Sequence, residues 1–377
     1  MNSLVLLKGK PGNMRKIYAF ILLAIALQGL MAQKASLLFF GDIMGHGGQI
    51  TSAQQADGSY DYEPTLKYIE PSFRSADIVV GNLEVTLAGP PFTGYPAFSS
   101  PDALALAYKN AGVNFLVTAN NHSYDRGQKG MERTIDVMER MYFNYTGTFK
   151  DSTDFSNNNP KLVEINGIRL AILNYTYGTN GIAVRQPNIV NHIVREEIAD
   201  HIVTSRNLNP DLIIVCIHWG DEYALQPNAS QRSTAEFLFD QGVDIIIGSH
   251  PHVVQPMHMT EDENGKRRIL VYSLGNFVSN QRNEYTDGGV MVRVEIEKEG
   301  CTAKVINAEY LLTWVYTPVE NGKKNYYVLP ASLYSKIGLP EHLRDAQGGM
   351  YSYLNKARGV MKSNTGIQEI TEEWPLK

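Results

Sequence analysis

Residues 245–252 read Ile-Ile-Ile-Gly-Ser-His-Pro-His. Three β-branched residues in a row make a short buried strand, Gly-Ser ends it, and the proline stiffens a turn that carries two imidazoles. Two histidines on a rigid turn are hard to explain by packing. The same layout, an apolar run passing straight into a polar cluster, recurs four more times. Residues 36–40 run into Gly41-Asp42, and 77–80 into Gly81-Asn82-Leu83-Glu84. Residues 114–118 run into Ala119-Asn120-Asn121-His122 with Asp125 beyond, and 212–217 into His218-Trp219-Gly220.

Further apolar runs at 170–175 and 269–272 complete the series. Helical patterns lie between the runs at 101–111, opening at a Ser100 cap, at 127–142, and at 230–241, opening at Ser230. Strands alternating with crossover helices predict an α/β domain. The carboxyl ends of parallel strands lie along one edge of such a sheet, so residues far apart in sequence converge there. From Gly289 the pattern changes to alternating strands at 290–296 and 303–311, joined across Lys298-Glu299-Gly300, which reads as a hairpin at an antiparallel edge. The Tyr-rich segment from 313 to 377 has weak helical stretches at 331–337 and 349–362, and reads as an appendage or partly ordered tail on a main domain spanning 33–312.

The polar clusters supply Asp42, Glu84, Asn121, His218, His250 and His252. Carboxylate and amide oxygens mixed with imidazole nitrogens suit Zn, Mn or Fe(II) better than calcium, which prefers oxygen alone. Singly, each has an ordinary explanation as a turn residue or a satisfied histidine; the case rests on the set. Of the other histidines, His46 stands out, four residues after Asp42. Trp219, Glu222 and Tyr223 follow His218 and are candidates to line a substrate cleft, with core packing the alternative for Trp219. Asn276, in the turn Leu274-Gly275-Asn276-Phe277, either supports the ligands or substrate or is a turn residue.

The 377 residues are 43% apolar, enough for a substantial core, with a net charge of −5. Residues 1–32 hold Lys8, Lys10, Arg15 and Lys16 and no acid, then an apolar run at 17–30 and Met31-Ala32-Gln33. That is the layout of a secretory signal cut near Ala32; the alternative is an anchoring helix, although a bilayer span needs about 20 apolar residues. Met14 before Arg15-Lys16 offers a second start. Both readings place the protein outside the cytoplasm, in the periplasm or cell envelope. No cysteine lies near the cut, which excludes a lipoprotein anchor. Removing this segment moves the net charge to −9, and an acidic chain disfavours a nucleic-acid partner. Cys216 sits in an apolar run and Cys301 in a turn, which argues no disulfide framework.

In order and spacing, the series Gly-Asp, Gly-Asn-Leu-Glu, Ala-Asn-Asn-His, His-Trp-Gly, Gly-Ser-His-Pro-His and Tyr-Ser-Leu-Gly-Asn-Phe resembles the CapA family of poly-γ-glutamate capsule-synthesis proteins, over about residues 35–300. That family is similar in turn to calcineurin-like metallophosphatases. The resemblance implies a four-layer α/β/β/α sandwich of two mixed sheets flanked by helices, holding two divalent ions (Mn, Zn or Fe). It implies Asp42, Asn121, His218, His250 and His252 as ligands, with His122 as the catalytic proton donor and Asp125 orienting its ring. Two positions depart from the metallophosphatase pattern. Met44 stands where that pattern has a metal-binding His, and Asn82 where it has the bridging Asp, leaving Glu84 to supply the shared carboxylate. The implied role is synthesis, export or anchoring of an anionic polymer such as poly-γ-glutamate, through a metal-dependent hydrolase or transferase site. The alternatives are a non-catalytic scaffold that binds the polymer or a membrane-bound synthetase, and a periplasmic metallophosphoesterase.

Overall fold

The computed structural model describes residues 32–377, so the signal or anchor expected at 1–32 lies, but for its last residue, outside the described residues. Strand β1 (Gln33–Ile43) is buried over its last nine residues. It runs parallel to β2 (Ile78–Leu83), which continues through β3 (Phe115–Val117) to β4 (Asn144–Thr146). Helices α1 (Asp102–Ala111) and α2 (Gly127–Arg140) make the crossovers. The chain then builds a second sheet. An antiparallel pair, β5 (Lys161–Ile165) and β6 (Ile168–Thr176), leads into β7 (Leu212–His218) and β8 (Ile245–Ser249), both parallel to β6, with β9 (Met257–Glu261) and β10 (Arg267–Val271) beyond. The order is β9-β10-β8-β7-β6-β5, with α3 (Arg195–Asn207) and α4 (Ala229–Asp240) as crossovers.

The chain returns to the first sheet with β11 (Asn276–Val278), β12 (Gly288–Glu299), β13 (Thr302–Tyr316), β14 (Tyr327–Leu329) and β15 (Gln368–Glu369). That sheet runs β14-β13-β12-β1-β2-β3-β4, with β11 beside the end of β1 and β15 beside β13. The expected hairpin is β12–β13, paired antiparallel. The cap expected at Ser230 falls two residues late. Asn228 caps α4 by accepting from the Gln231 N–H while the Gln231 side chain reaches back to the Asn228 N–H, a reciprocal pair that the apolar periodicity did not reveal.

Alternation along β7 explains the layering. Leu212, Ile214 and Cys216 join the core between the sheets, whereas Ile213, Val215 and Ile217 pack on Ile198 and Ile202 of α3 and Ala235 and Leu238 of α4. On the far side of the first sheet, Phe40 stacks on Tyr108 of α1 with ring centroids 5.9 Å apart. Only glycine fits beside that ring at position 81, because a Cβ there would collide with it. Helices therefore flank two face-to-face mixed sheets, the four-layer sandwich expected. No described helix is long and apolar enough to cross a membrane.

The tail is more integrated than an appendage. The expected boundary at 313 falls inside β13, and Leu329, Met350, Leu354 and Ala357 are fully buried in the main core. The helices expected at 331–337 and 349–362 are present as α5 (Ala331–Ile337) and α6 (Gln347–Met361). Ser332 accepts the Leu312 N–H (2.9 Å) and donates to Glu369 (2.6 Å), whose carboxylate also holds Arg358 (2.8 Å). Leu354→Ala should accordingly cost about 2–5 kcal/mol and lower the melting temperature of the whole domain in one transition. A melt in which the tail is lost separately, with the main transition unmoved, would contradict this.

Candidate metal centre

The parallel strands bring their polar ends to one edge. β1 delivers Asp42, in register with Asn82 of β2 and Asn276 of β11. Glu84 follows β2, Asn120 to His122 follow β3, and β7 ends on His218 in register with Ser249 at the end of β8. All six expected ligands are buried. They form two overlapping groups, Glu84-His218-His250 and Asp42-Glu84-His252, with the candidate ligand atoms of each within 4.8 Å of one another. Glu84 belongs to both, which is where a shared carboxylate has to stand. Asn121 joins through its Oδ1, 2.8 Å from His218 Nε2. His250 and His252 have φ of +100° and +59°, a left-handed backbone that costs non-glycine residues about 1–3 kcal/mol and persists where the surroundings impose it. The stiff His-Pro-His turn thus pays in backbone strain for aiming both rings inward.

Neutral amides set the orientation of the donors. Asn276 Nδ2 donates to the Thr286 carbonyl and to Gln281 Oε1, each at 2.8 Å, so its Oδ1 faces His252 Nδ1 at 3.1 Å. That oxygen requires a proton on Nδ1 and leaves the Nε2 lone pair, 3.9 Å from Glu84 Oε1, free to bind. Asn82 Nδ2 donates to Asp42 Oδ1 (2.8 Å), while its Oδ1 accepts from Asn120 (3.2 Å). It therefore braces the ligands instead of replacing the bridging carboxylate. His122 Nδ1 lies 2.8 Å from Asp125 Oδ2, which also accepts the Phe98 N–H at 2.8 Å. The expected orienting pair is in place, with the His122 ring edge-on to Phe98.

The electrostatics fit a cation. Both Glu84 oxygens, Asp42 Oδ2 and His250 Nδ1 are buried without a hydrogen-bond partner among the described residues. His252 Nδ1 lies 3.3 Å from Asp42 Oδ2 but is directed at Asn276. Each unmet buried group costs about 1–3 kcal/mol, and an unpaired charge more. Burial, and then Asp42, hold the Glu84 carboxyl well above the usual carboxylate range. Burial, and then the neighbouring histidines, hold His218 well below its ordinary value and bring His250 to about 4. Both shifts favour neutral His218 and His250, as metal ligation requires, and divalent cations among these atoms would satisfy all the orphaned groups together.

Other expected residues stand further out. Trp219 faces away from the cleft: its Nε1 donates to the Tyr272 carbonyl (2.9 Å) within the layer beneath α3 and α4. Glu222 and Tyr223 lie exposed at the rim, the Tyr223 ring 6.2 Å from that of His252. Met44 is buried, and His46 is half-buried beside the site, its N–H donating to Gln49 Oε1 at 3.0 Å. Asn120 and Ser249 lie within the polar clusters of the sequence without a role assigned there, and Tyr177 and Asn180 are further participants that the clusters did not include. Ser249 Oγ sits 3.1 Å from His218 Nδ1, Tyr177 packs 4.6 Å from the His250 ring, and Asn180 Oδ1 accepts from Asn121 at 3.1 Å. Burial, with Glu222 and Glu84, pushes Tyr177 up to about 12. Tyr177 and Asn180 follow β6, so extending the strand-end rule to the 170–175 run would have found them.

A family model described as bacterial capsule synthesis protein PGA_cap matches residues 36–281. The chain is 30% identical over 277 residues to the PGA biosynthesis protein CapA of Bacillus subtilis (strain 168), covering 70% of this chain and 68% of that protein. It is 30% identical over 280 residues to the capsule biosynthesis protein CapA of Bacillus anthracis, covering 71% and 65%. Solved structures give more distant likenesses. A phosphatase from Mycoplasma pneumoniae aligns at TM-score 0.46 and 17% identity, covering 75% of this chain and 94% of that one. The calcineurin-like phosphoesterase YfkN from Bacillus subtilis aligns at 0.39 and 13%, covering 86% and 100%. With a family match across most of its length and two relatives at 30% identity, the chain belongs to the bacterial capsule synthesis family of the CapA proteins.

Proposed function

We propose that this protein is an exported metal-dependent hydrolase or transferase acting on an anionic capsule polymer of the poly-γ-glutamate type at the cell envelope. The observation that carries the reading is Glu84: a buried carboxylate with both oxygens unpaired, shared by two groups of nitrogen and oxygen donors. Divalent ions there (Mn, Zn or Fe) would activate water and offset the charge that develops in a phosphoryl or acyl transition state. Glu84, His218, His250 and the Asn121 oxygen would hold one ion, and Asp42, Glu84 and His252 the other. With Asp125 accepting the Nδ1 proton, His122 would act as the imidazolium, giving its Nε2 proton to a leaving group and being left as the neutral Nδ1–H form. The polymer is inferred from the names of the relatives, and a membrane-bound synthetase is the partner such a role implies. The second reading, a non-catalytic scaffold, draws on Met44 and Asn82 standing where metallophosphatases carry ligands.

Metal titration of the purified protein decides between them. Two equivalents of Mn2+ or Zn2+ should bind. Glu84→Gln should weaken both together, because both groups share it, whereas His252→Ala should remove one equivalent and leave the other. A wild-type protein that binds no divalent metal would remove the enzyme reading.

Under the enzyme reading, His122→Ala should keep its metal and lose about 10²–10⁴-fold in turnover, assayed on γ-glutamyl polymer and on phosphodiesters. An unchanged rate on every substrate turned over would exclude His122 as the proton donor.

Export rests on the basic and apolar segment at 1–32. Cell fractionation with N-terminal sequencing should find a protein beginning near Gln33 outside the cytoplasm, or a membrane form that keeps Arg15 and Lys16. A cytoplasmic protein would refute both.

A further inference from the structure

The loop after β6 borders the metal centre with two side chains that lie outside both ligand groups. Tyr177, the first residue of that loop, is 49% exposed. Its ring lies 4.6 Å from that of His250 and, nearly parallel, 6.3 Å from that of His218. Its N–H donates to the His218 carbonyl at 3.1 Å, so the end of β7 fixes where the side chain starts. Asn180 is exposed three residues further on. Asn121 joins the two. Its Oδ1 faces His218 Nε2 at 2.8 Å, which leaves Nδ2 to donate to Asn180 Oδ1 at 3.1 Å and to the Tyr177 hydroxyl.

Each of the two keeps a donor to give. The Tyr177 oxygen accepts from the Asn121 amide, so its own O–H is left for another acceptor. Asn180 Nδ2 lies 3.4 Å from His122 Nδ1. That nitrogen carries the proton held by Asp125 at 2.8 Å and has no lone pair to offer, so the contact is not a hydrogen bond. Turning the Asn180 amide over would set its nitrogen against the nitrogen of Asn121. Two neutral donors thus stand on either side of Asn121, one against the rings of His218 and His250 and one beside His122. Oxygen atoms of a substrate are the acceptors that both lack, and donors fixed before the reaction stabilise charge that develops on such oxygens. From these contacts we propose that Tyr177 and Asn180 form a clamp that hydrogen-bonds the anionic oxygens of the substrate's phosphoryl or acyl group. This assignment rests on the metal-dependent reading of the site, and it gives the loop after β6 a part in substrate binding.

Titration calorimetry of inorganic phosphate into the full chain, loaded with Mn2+ and freed of excess metal, tests it. The wild type should bind phosphate. Tyr177→Phe keeps the ring against His250 and loses only the hydroxyl, and it should weaken phosphate by about tenfold or more while holding as much Mn2+ as the wild type. Asn180→Asp keeps the oxygen that Asn121 needs and suits the left-handed backbone at that residue (φ +50°). It replaces the donor with a negative charge, and should weaken phosphate by at least as much with the same Mn2+ content. The clamp is overturned if the Mn2+-loaded wild type binds no phosphate, if both variants bind it as tightly as the wild type, or if Tyr177→Phe loses Mn2+, which would make the hydroxyl a support for Asn121. In each of these cases the metal-centre reading survives. A wild type that takes up no divalent metal overturns both.

Discussion

A buried carboxylate without a partner is costly, and Glu84 is fully buried with both oxygens unmet. The edge of the two sheets where it sits is organised around that cost. Asp42 and the rings of His218, His250 and His252 surround it, Asp42 and His218 delivered by the ends of β1 and β7 and the two other histidines by the turn after β8. Such an arrangement is stable only with positive charge at its centre, or with a proton on the carboxyl. The fold thus holds the donors in place at a cost in stability that a bound cation would relieve.

The frame that keeps those donors apart is built from neutral amides. Asn174 on β6 accepts the backbone N–H groups of Thr118 and Ala119 at 3.0 and 2.6 Å and donates to the Cys216 carbonyl at 3.2 Å. It thereby joins the second sheet to the turn that carries Asn121 and His122. Asn82, Asn120 and Asn276 do similar work for Asp42, the turn after β3 and His252. An amide orients its neighbours through a donor and an acceptor without adding a charge to a buried site. This gives Asn82 a physical role as a neutral brace beside Asp42.

The segment after 313 belongs to the same body. Its rings and aliphatic side chains extend the core, and it closes one wall of a cavity that the main domain would otherwise leave open. Its Tyr-rich composition hid this. Tyr334 and Tyr353 look amphipathic in a sequence, yet both bury their rings, and a tyrosine is placed by the neighbour its ring finds more than by local periodicity.

The sequence by itself determined the strand-end rule. Short apolar runs ending in Asp42, Glu84, Asn121, His218 and the His-Pro-His turn are local patterns, and parallel sheets bring such ends together whatever the loops between them do. The same patterns sufficed for the family and the four-layer class. Only the tertiary structure decided that Glu84 stands in both ligand groups, that Asn276 sets the tautomer of His252, that Trp219 turns away from the cleft, and that Tyr177 and Asn180 enter the site. Those outcomes depend on distances across two sheets and on which hydrogen-bond partner each side chain meets, and a one-dimensional pattern of apolar and polar residues carries neither.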